Sequence, residues 1–227
     1  MHEKTTQLQQ MLTQLRTKLL MMGAAVGIAL EEACAALQEG NIVRASEVVD
    51  GDAAINAMEN EIDELTLSLL VRNQPVAQDL RFIVGASRMV IDLERIGDEA
   101  ASIAERTVTM EEALPEPVLE AAGILMRSAI TMYKQAMDAF RAANEEAALT
   151  LCRVDDEIAQ QEVAALHRVM DFFCGKQNET QKGMRYGGMN GILICRSLNR
   201  ICRRCANIAE HTYFIVEGVN IKHQQSL

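Results

Sequence analysis

The sequence predicts an all-α protein made of two tandem antiparallel three-helix bundles, six helices in all. Three observations favour this fold. The composition is rich in helix formers, with 4% aromatic residues, no Trp, 3 prolines and 13 glycines, too few turn formers for a sandwich or barrel. Apolar residues recur at steps of three and four, as on one face of a helix. Finally, a segment of the second half repeats a segment of the first half.

The first half of the chain is predicted to hold three helices. From Leu8 onward, apolar residues follow the spacing of a helix that packs against others. Gly40 and Asn41 end this first helix, because glycine readily adopts the left-handed conformation that closes a helix. Pro75 separates the next two, since a proline inside a helix removes a hydrogen bond. The predicted second and third helices cover residues 42–71 and 76–109.

The second half is predicted to repeat this arrangement. Two of the three prolines lie between residues 110 and 117, and this break divides the chain into predicted domains at 1–112 and 113–227. The predicted fourth, fifth and sixth helices end near residues 143, 173 and 216. A polar loop is expected at 175–183, and Gly187, Gly188 and Gly191 are expected to form a flexible start to the sixth helix.

The repeat is clearest between the third and sixth predicted helices. Residues 93–107 align without gaps on residues 198–212, and eight of the fifteen positions are identical. A weaker similarity joins residues 52–55 to residues 155–158. The offset is about half the chain, which is typical of a duplicated domain rather than of a short solenoid repeat.

Charge and cysteine usage limit the class of protein. The formal net charge is −10, which argues against nucleic acid as a general partner, because binding a polyanion requires clustered Lys and Arg. The six cysteines lie mostly within helical patterns, so we expect reduced thiols and a cytoplasmic protein. The longest apolar run, residues 19–30, is shorter than the roughly 20 residues of a membrane span.

Paired acids are the first candidate for chemistry. Glu94 and Asp98 are four residues apart and therefore project from one side of a helix. Such a pair weakens a helix unless a cation lies between the carboxylates, and hard cations prefer oxygen ligands. The second helix offers facing oxygens from the pairs Asp52 with Asn56 and Glu59 with Asp63. The alternative is a solvated acidic face, and the alternating charges of Arg88, Asp92, Arg95 and Glu99 are typical of one.

Two further patterns are interpreted as structural. Cys202 and Cys205 form a Cys-x-x-Cys pair, but the repeat aligns them with the seam positions Gly97 and Ala100. We therefore predict that these thiols pack in the core, with a reactive pair activated by neighbouring arginines as the alternative. None of the four histidines follows a Glu three residues earlier, so the ligand motif of di-iron bundle enzymes is missing.

Three segments together resemble the PhoU family of bacterial phosphate-uptake regulators. They are residues 74–81 (Gln-Pro-Val-Ala-Gln-Asp-Leu-Arg), residues 92–98 (Asp-Leu-Glu-Arg-Ile-Gly-Asp) and residues 207–210 (Asn-Ile-Ala-Glu). The resemblance covers almost the whole chain and implies two three-helix bundles. It also implies a cytoplasmic, often dimeric protein that links a phosphate ABC transporter to a sensor histidine kinase. Some members bind iron or zinc clusters through acidic motifs, one cluster per bundle.

In the first bundle, the resemblance implies a metal site that uses Glu94 and Asp98. Its second-helix motif is partial, because Asp52 is followed four residues later by Asn56 instead of a second acid. Asp79 also matches a family motif. We therefore expect iron or zinc, if either is bound, at the first bundle only.

In the second bundle, the resemblance breaks down at the metal motif. Asn199 stands at the position of Glu94, and Arg203 stands at the position of Asp98. Because a guanidinium cannot ligate a cation and repels it, we predict that the second cluster is lost. Arg203 is expected to pair instead with Asp155 or Asp156.

These expectations define the predicted function. The resemblance implies a non-catalytic cytoplasmic regulator that acts negatively on the phosphate ABC transporter and its sensor histidine kinase. The implied partners are the transporter's ATPase subunit, the kinase and a second copy of the chain, with no nucleic acid and with membrane contact only through partner proteins. The alternative is a carboxylate-ligated metal protein that senses or stores metal or acts as a metalloenzyme.

Overall fold

A computed structural model describes residues 2–73, 75–153, 155–175 and 181–221, with side chains from residue 6 onward except at 155, 156, 175 and 181–186. All regular structure in these ranges is α-helical, which confirms the predicted fold class. The helices are α1 (His2–Glu39), α2 (Ile42–Asn73), α3 (Ala77–Thr109), α4 (Glu116–Ala142), α5 (Glu145–Cys152), α6 (Asp155–Gly175) and α7 (Gln181–Glu217).

The predicted turn residues end and begin these helices. Gly40 has a φ of +63° directly after α1, a conformation that costs glycine little. The side chain of Asn41 accepts a hydrogen bond of 3.1 Å from the backbone N–H of Arg44 at the start of α2. In the second half, the side chain of Asn144 accepts the corresponding bond from Ala147 at 3.0 Å. Each asparagine satisfies one of the backbone donors that a helix start leaves open.

Two bundles share one continuous core. Helices α1, α2 and α3 pack together in the first half, and α4, α5, α6 and α7 pack together in the second. The two halves meet where α3 packs against α7 and α1 packs against α4. The predicted boundary at residues 112 and 113 falls in the connection between α3 and α4, and the division into two domains stays a prediction.

The fifth helix was predicted to be continuous, and this is wrong, because the segment forms two helices. Helix α5 ends at Cys152, and the backbone N–H of Arg153 bonds back to Thr150 at 3.2 Å. Helix α6 begins at Asp155, which Asp156 follows. Acidic residues favour a helix start over a helix interior, because the N-terminal backbone donors attract negative charge. The structure therefore has seven helices among its described residues rather than six.

The predicted start of the last helix is also wrong. Helix α7 begins at Gln181, inside the expected loop at 175–183, and residues 176–180 of that segment lie outside the described ranges. Gly188 and Gly191 lie inside α7 and allow close approach of neighbouring helices. A Cβ on Gly188 would lie 3.1 Å from the ring of Phe173, and one on Gly191 would lie 2.7 Å from Cγ1 of Val118.

Glycines also bring α1 and α4 together. A Cβ on Gly23 would overlap Cε of Met137, and one on Gly27 would lie 2.9 Å from the ring of Tyr133. The hydroxyl of Tyr133 donates a hydrogen bond of 2.5 Å to the carbonyl of Gly23. Without side chains at these two positions, the first helix of each bundle can contact the other across the molecule.

Helix α1 is also long and apolar enough, over Thr6–Glu39, to cross a membrane by length and composition alone. Its apolar seam is nevertheless fully covered by protein, since Leu15, Leu19, Met22 and Val26 have no exposed surface. A helix in the core of a helical bundle can be equally long and equally apolar, so length and composition alone do not identify α1 as a membrane span.

Candidate functional site

The predicted acidic residues come together between α2 and α3. Gly97 lies on α3 against Ile55 of α2, and a Cβ there would lie 3.3 Å from the Ile55 side chain. The same Cβ would lie 3.8 Å from Oδ1 of Asp52. The close approach of the two helices thus brings the Asp52 carboxyl to the part of α3 that carries Glu94 and Asp98. We call Asp52, Asn56, Glu94 and Asp98 the acidic cluster.

On the α2 side, two oxygens of the acidic cluster lack partners. The amide of Asn56 donates a hydrogen bond of 3.0 Å to Oδ2 of Asp52. The remaining oxygens, Asp52 Oδ1 and Asn56 Oδ1, are buried and accept no hydrogen bond. Burial, opposed by the bond from Asn56 and reinforced by the charge of Asp98, raises the pKa of Asp52. Buried acceptors without donors are costly, so these oxygens favour a positively charged or protonated neighbour.

On the α3 side, Glu94 is the most strongly perturbed member of the cluster. Burial, with the charges of Asp98 and Glu59, raises the pKa of the Glu94 carboxyl to about 7. Burial and the neighbouring carboxylates of Asp63 and Asp98 also raise the pKa of Glu59. The compensation comes from Arg95, which lies 3.4 Å from Glu94 and 3.7 Å from Asp98. Glu59 is therefore electrostatically part of the site, as the sequence pattern had allowed.

The donors of the acidic cluster are of the kind that hard cations prefer. Every ligand atom it offers is an oxygen, and the raised carboxyl pKa values reflect burial together with a repulsion between carboxylates that a cation would relieve. Zinc sites more often include nitrogen or sulfur ligands. Within the described ranges, no three His, Cys, Asp or Glu side chains are arranged closely enough to hold a metal ion. The residues therefore match a cation in the chemistry of their donors but do not form a three-ligand site in this arrangement, and metal binding at Glu94, Asp98, Asp52 and Asn56 stays a prediction.

The equivalent position in the second bundle has different chemistry. Asn199, the counterpart of Glu94, donates a hydrogen bond of 2.6 Å to Oε2 of Glu162 on α6. Arg203, the counterpart of Asp98, is exposed on α7. The side chains of its predicted partners, Asp155 and Asp156, lie outside the described residues. An amide and a guanidinium thus stand where the first bundle has two carboxyl groups.

Asp79 does not join the acidic cluster. It lies in the first turn of α3, about 22 Å along the helix axis from Glu94 at a rise of 1.5 Å per residue. A carboxylate in the first turn interacts favourably with the positive end of the helix dipole. The two family motifs therefore lie apart on α3: Asp79 is at the start of the helix, and Glu94 and Asp98 are in its central part.

A polar network that the sequence reasoning missed joins the two bundles. The alternative interpretation of the acidic pair placed Asp92 on a solvated face, and this is wrong for Asp92, because only 5% of the residue is exposed. One of its oxygens accepts hydrogen bonds of 3.0 Å from both Arg204 and Asn207 on α7. The other lies 3.0 Å from Nε2 of His211. Burial would raise the pKa of Asp92, but the bonds from His211, Asn207 and Arg204 outweigh it and lower the pKa.

A second link crosses the same seam nearby. Arg200 of α7 forms a two-fold ion pair with the carboxylate of Glu99 on α3, with one of its contacts at 2.7 Å. It also donates a hydrogen bond of 3.1 Å to the hydroxyl of Ser197. Ser197 stands at the repeat position of Asp92 and is itself buried. The seam between α3 and α7 thus contains two polar links that differ in chemistry: the ion pair of Arg200 with Glu99, and Asp92 with its three partners.

The cysteines of α7 lie in the core, as predicted. Cys195, Cys202 and Cys205 are buried, and all six cysteines are free thiols. Burial raises the pKa of Cys195 to about 11 and that of Cys202 to about 12. A thiol with a raised pKa contains little thiolate at neutral pH, so it is a poor nucleophile and metal ligand.

Comparison with known proteins identifies the duplicated unit. The PhoU domain family matches the chain twice, at residues 19–107 and 124–212, so the two matches have the offset seen in the repeat. The phosphate-specific transport system accessory protein PhoU homolog of Pseudomonas putida is 33% identical over 98% of this chain and 85% of its own length. The accessory protein PhoU of Escherichia coli K12 is 29% identical over 93% of this chain and 86% of its own length.

Solved structures agree with this assignment. The crystal structure of PhoU from Pseudomonas aeruginosa superposes with a TM-score of 0.87 at 32% identity and covers 93% of this chain and 99% of that chain. The PhoU structure from Streptococcus pneumoniae shares the fold, with a TM-score of 0.83 at 24% identity. Both repeats, the overall fold and the sequence similarity therefore lead to one conclusion: the chain belongs to the PhoU domain family.

Proposed function

We propose that this protein is a non-catalytic cytoplasmic regulator of phosphate uptake, which acts negatively on a phosphate ABC transporter and its sensor histidine kinase. The observation that carries the proposal is the paired PhoU domain match together with relatives named as accessory proteins of phosphate-specific transport. The proposed partners are the ATPase subunit of the transporter, the kinase and a second copy of the chain.

The proposed mechanism is binding rather than turnover. A regulator shifts a partner between conformations only by binding one of them more tightly than the other. The tip of the first bundle, where α2 ends and α3 begins, supports such binding, since it exposes Leu67, Val71, Val76 and Leu80 to solvent. Exposed apolar side chains grouped in this way are typical of protein interaction sites.

A genetic complementation experiment tests the regulator. In a bacterium from which the native PhoU gene has been deleted, we expect loss of repression of a phosphate-starvation reporter in phosphate-rich medium. Expression of this chain should restore repression, and co-purification with the tagged ATPase subunit or kinase should accompany it. Restored repression without binding to either partner would contradict the mechanism, and failure to restore repression would contradict the function.

Metal binding is the second candidate, and the buried unpaired oxygens of Asp52 and Asn56 favour it. Iron or zinc is expected at the first bundle only, with Glu94, Asp98, Asp52 and Asn56 as the residues that would hold it. A cation bound there would offset the burial and the neighbouring negative charges that raise the pKa of Asp52 and of Glu94. It would serve sensing, storage or a metalloenzyme activity.

Metal analysis of the purified full-length protein tests this candidate. We expect at most one tightly bound iron or zinc centre per chain, and Glu94→Ala should abolish it. Glu64→Ala, which removes an exposed acid elsewhere on α2, is the matched control and should retain the metal. More than one strongly bound centre per chain would show that the second site is intact, and equal loss in both variants would exclude the acidic cluster.

A further inference from the structure

Basic residues are concentrated on one helix of this acidic protein. Residues 181–209, which form most of α7, contain six Lys or Arg and no Asp or Glu. The rest of the chain contains 16 basic and 32 acidic residues. Because side chains of opposite sign are otherwise interspersed, this helix gives the molecule a local charge opposite to its net charge.

Three arginines of this helix form one exposed face. Arg196, Arg200 and Arg203 are all exposed and follow one another at spacings of four and three residues, so they project from the same side of α7. They span about 10 Å along the helix axis. We call these three arginines the basic face.

The fold leaves part of this charge uncompensated. Arg200 is paired with Glu99 across the seam, and the neighbouring Arg204 is turned inward to Asp92. Arg196 makes no hydrogen bond or ion pair within the described residues, and its repeat counterpart on α3 is the apolar Ile91, which is 48% exposed. Arg196 and Arg203, which align with Ile91 and Asp98, are therefore specific to the second repeat. Arg196 is not needed to hold α7 in place.

We propose that the basic face docks an acidic segment of a partner protein. Arginine suits such a partner, because its planar guanidinium can pair with a carboxylate through two parallel hydrogen bonds. That the partner is a protein rests on the proposed function. That the docked segment is acidic rests on the positive charges of α7.

The size of the basic face argues against other anionic partners. Anionic membranes are recognised by clusters of about four to eight Lys or Arg, more than the three arginines of the basic face that are exposed among the described side chains of α7. Duplex nucleic acid requires many phosphate contacts, and the acidic remainder of the chain would repel an extended polyanion. A short acidic peptide segment matches both the length and the charge of the face.

Fluorescence anisotropy of a labelled, glutamate-rich peptide tests the proposal with the full-length protein. We expect saturable binding at low salt that weakens as the ionic strength rises, because salt screens exposed charges. Arg196→Glu should weaken binding about fivefold or more, and Arg196→Lys should weaken it less. Arg168→Glu, which reverses an exposed arginine on α6, is the matched control and should bind as the wild type does. Circular dichroism establishes that each variant is folded.

Several outcomes would overturn the proposal. The peptide could fail to bind, or Arg196→Glu and Arg168→Glu could weaken it equally. Tighter binding of duplex DNA or of phosphatidylserine vesicles than of the peptide would assign the face to a different partner. A halved molecular mass for Arg196→Glu in light scattering would assign it to self-association. Because the peptide assay needs no transporter or kinase, its failure leaves repression in the complementation experiment unaffected, and the two proposals can fail separately.

Discussion

At the scale of single residues, Asp92 is a buried charge that links the two bundles. Its carboxylate is buried between α3 and α7 and has three partners, Arg204, Asn207 and His211. A buried carboxylate is tolerated only when it is paired and hydrogen-bonded, and here all the partners come from the other bundle. The residue therefore contributes to the attachment of one repeat to the other.

Asp92→Asn should destabilise the protein by about 2–4 kcal/mol, because it leaves Arg204, Asn207 and the buried His211 without the carboxylate that they share. Urea unfolding at neutral pH measures the change. The control, Asp138→Asn, removes an exposed partner of Arg141 and should lie within about 0.5 kcal/mol of the wild type. Equal effects of the two substitutions would contradict the role assigned to Asp92.

The same substitution has a defined pH dependence. The pKa of Asp92 is lower in the folded protein than its ordinary value, so the ionised carboxylate stabilises the folded state. This contribution is complete above the unfolded pKa of about 3.9 and is lost as the pH falls through the folded value. The difference in unfolding free energy between wild type and Asp92→Asn should therefore shrink as the pH falls below about 4. A difference that stays constant down to pH 2 would contradict the assignment.

The sequence predicted the acidic cluster better than the Asp92 network, for a physical reason. Glu94 and Asp98 are one turn apart on one helix, so local geometry brings them together without knowledge of the fold. Asp92 acquires its partners only when α7 packs against a second face of α3. A signal was present, since Met89, Asp92 and Ile96 share the spacing of a second buried stripe, and Met89 and Ile96 have no exposed surface. One sequence does not say which helix covers that stripe.

At the scale of helices, two glycines differ in whether their neighbours leave room for a side chain. Gly191 of α7 lies against the branched side chains of Val118 and Val169, where an added Cβ would come within 2.7 Å and 3.3 Å of them. Valine has few alternative rotamers, so neither neighbour can move aside easily. Gly51 lies within α2 with no atom within 4 Å of an added Cβ.

Gly191→Ala should therefore destabilise the protein by about 1–3 kcal/mol through overpacking. Gly51→Ala is its matched control and should stabilise the protein by about 0.5–1 kcal/mol, because alanine favours the helix. Thermal or urea unfolding of the two variants checks both signs. Stabilisation by both substitutions would show that α7 has room at Gly191.

Helix ends were predictable where turn residues mark them and were missed elsewhere. Gly40, Asn41 and Pro75 determined boundaries that the structure reproduces to within two residues. The break after Cys152 contains neither glycine nor proline, so helical periodicity alone ran through it. The glycines early in α7 were interpreted as flexibility because their packing partners, such as Phe173, are known only from the fold.

At the scale of the whole molecule, the two repeats are joined along two seams. Arg200 with Glu99 and Asp92 with its partners link α3 to α7, and Tyr133 with Gly23 links α4 to α1. Apolar packing between the same helices is continuous with both bundle cores. The repeats are thus similar in origin but are stabilised by each other.

We expect the full-length chain to unfold in a single cooperative transition. Since neither bundle can open without exposing the shared seams, helix content and tertiary contacts should be lost together. Far-ultraviolet circular dichroism and tyrosine fluorescence in urea should give coincident curves. Two resolved transitions would show that the bundles are independently stable, and a double variant, Asp92→Ala with Arg200→Ala, should move the protein toward that behaviour.

The packing of the helices also has an evolutionary consequence. Helix α2 packs against α1 and α3, and helix α6 packs against α4 and α7, whereas α3 and α7 additionally pack against each other. A substitution on the central pair must suit neighbours from both ancestral copies, while one on an outer helix must suit neighbours from a single copy. Sequence drift between lineages should therefore collect on α2 and α6, where new specificities can arise without disturbing the inherited architecture.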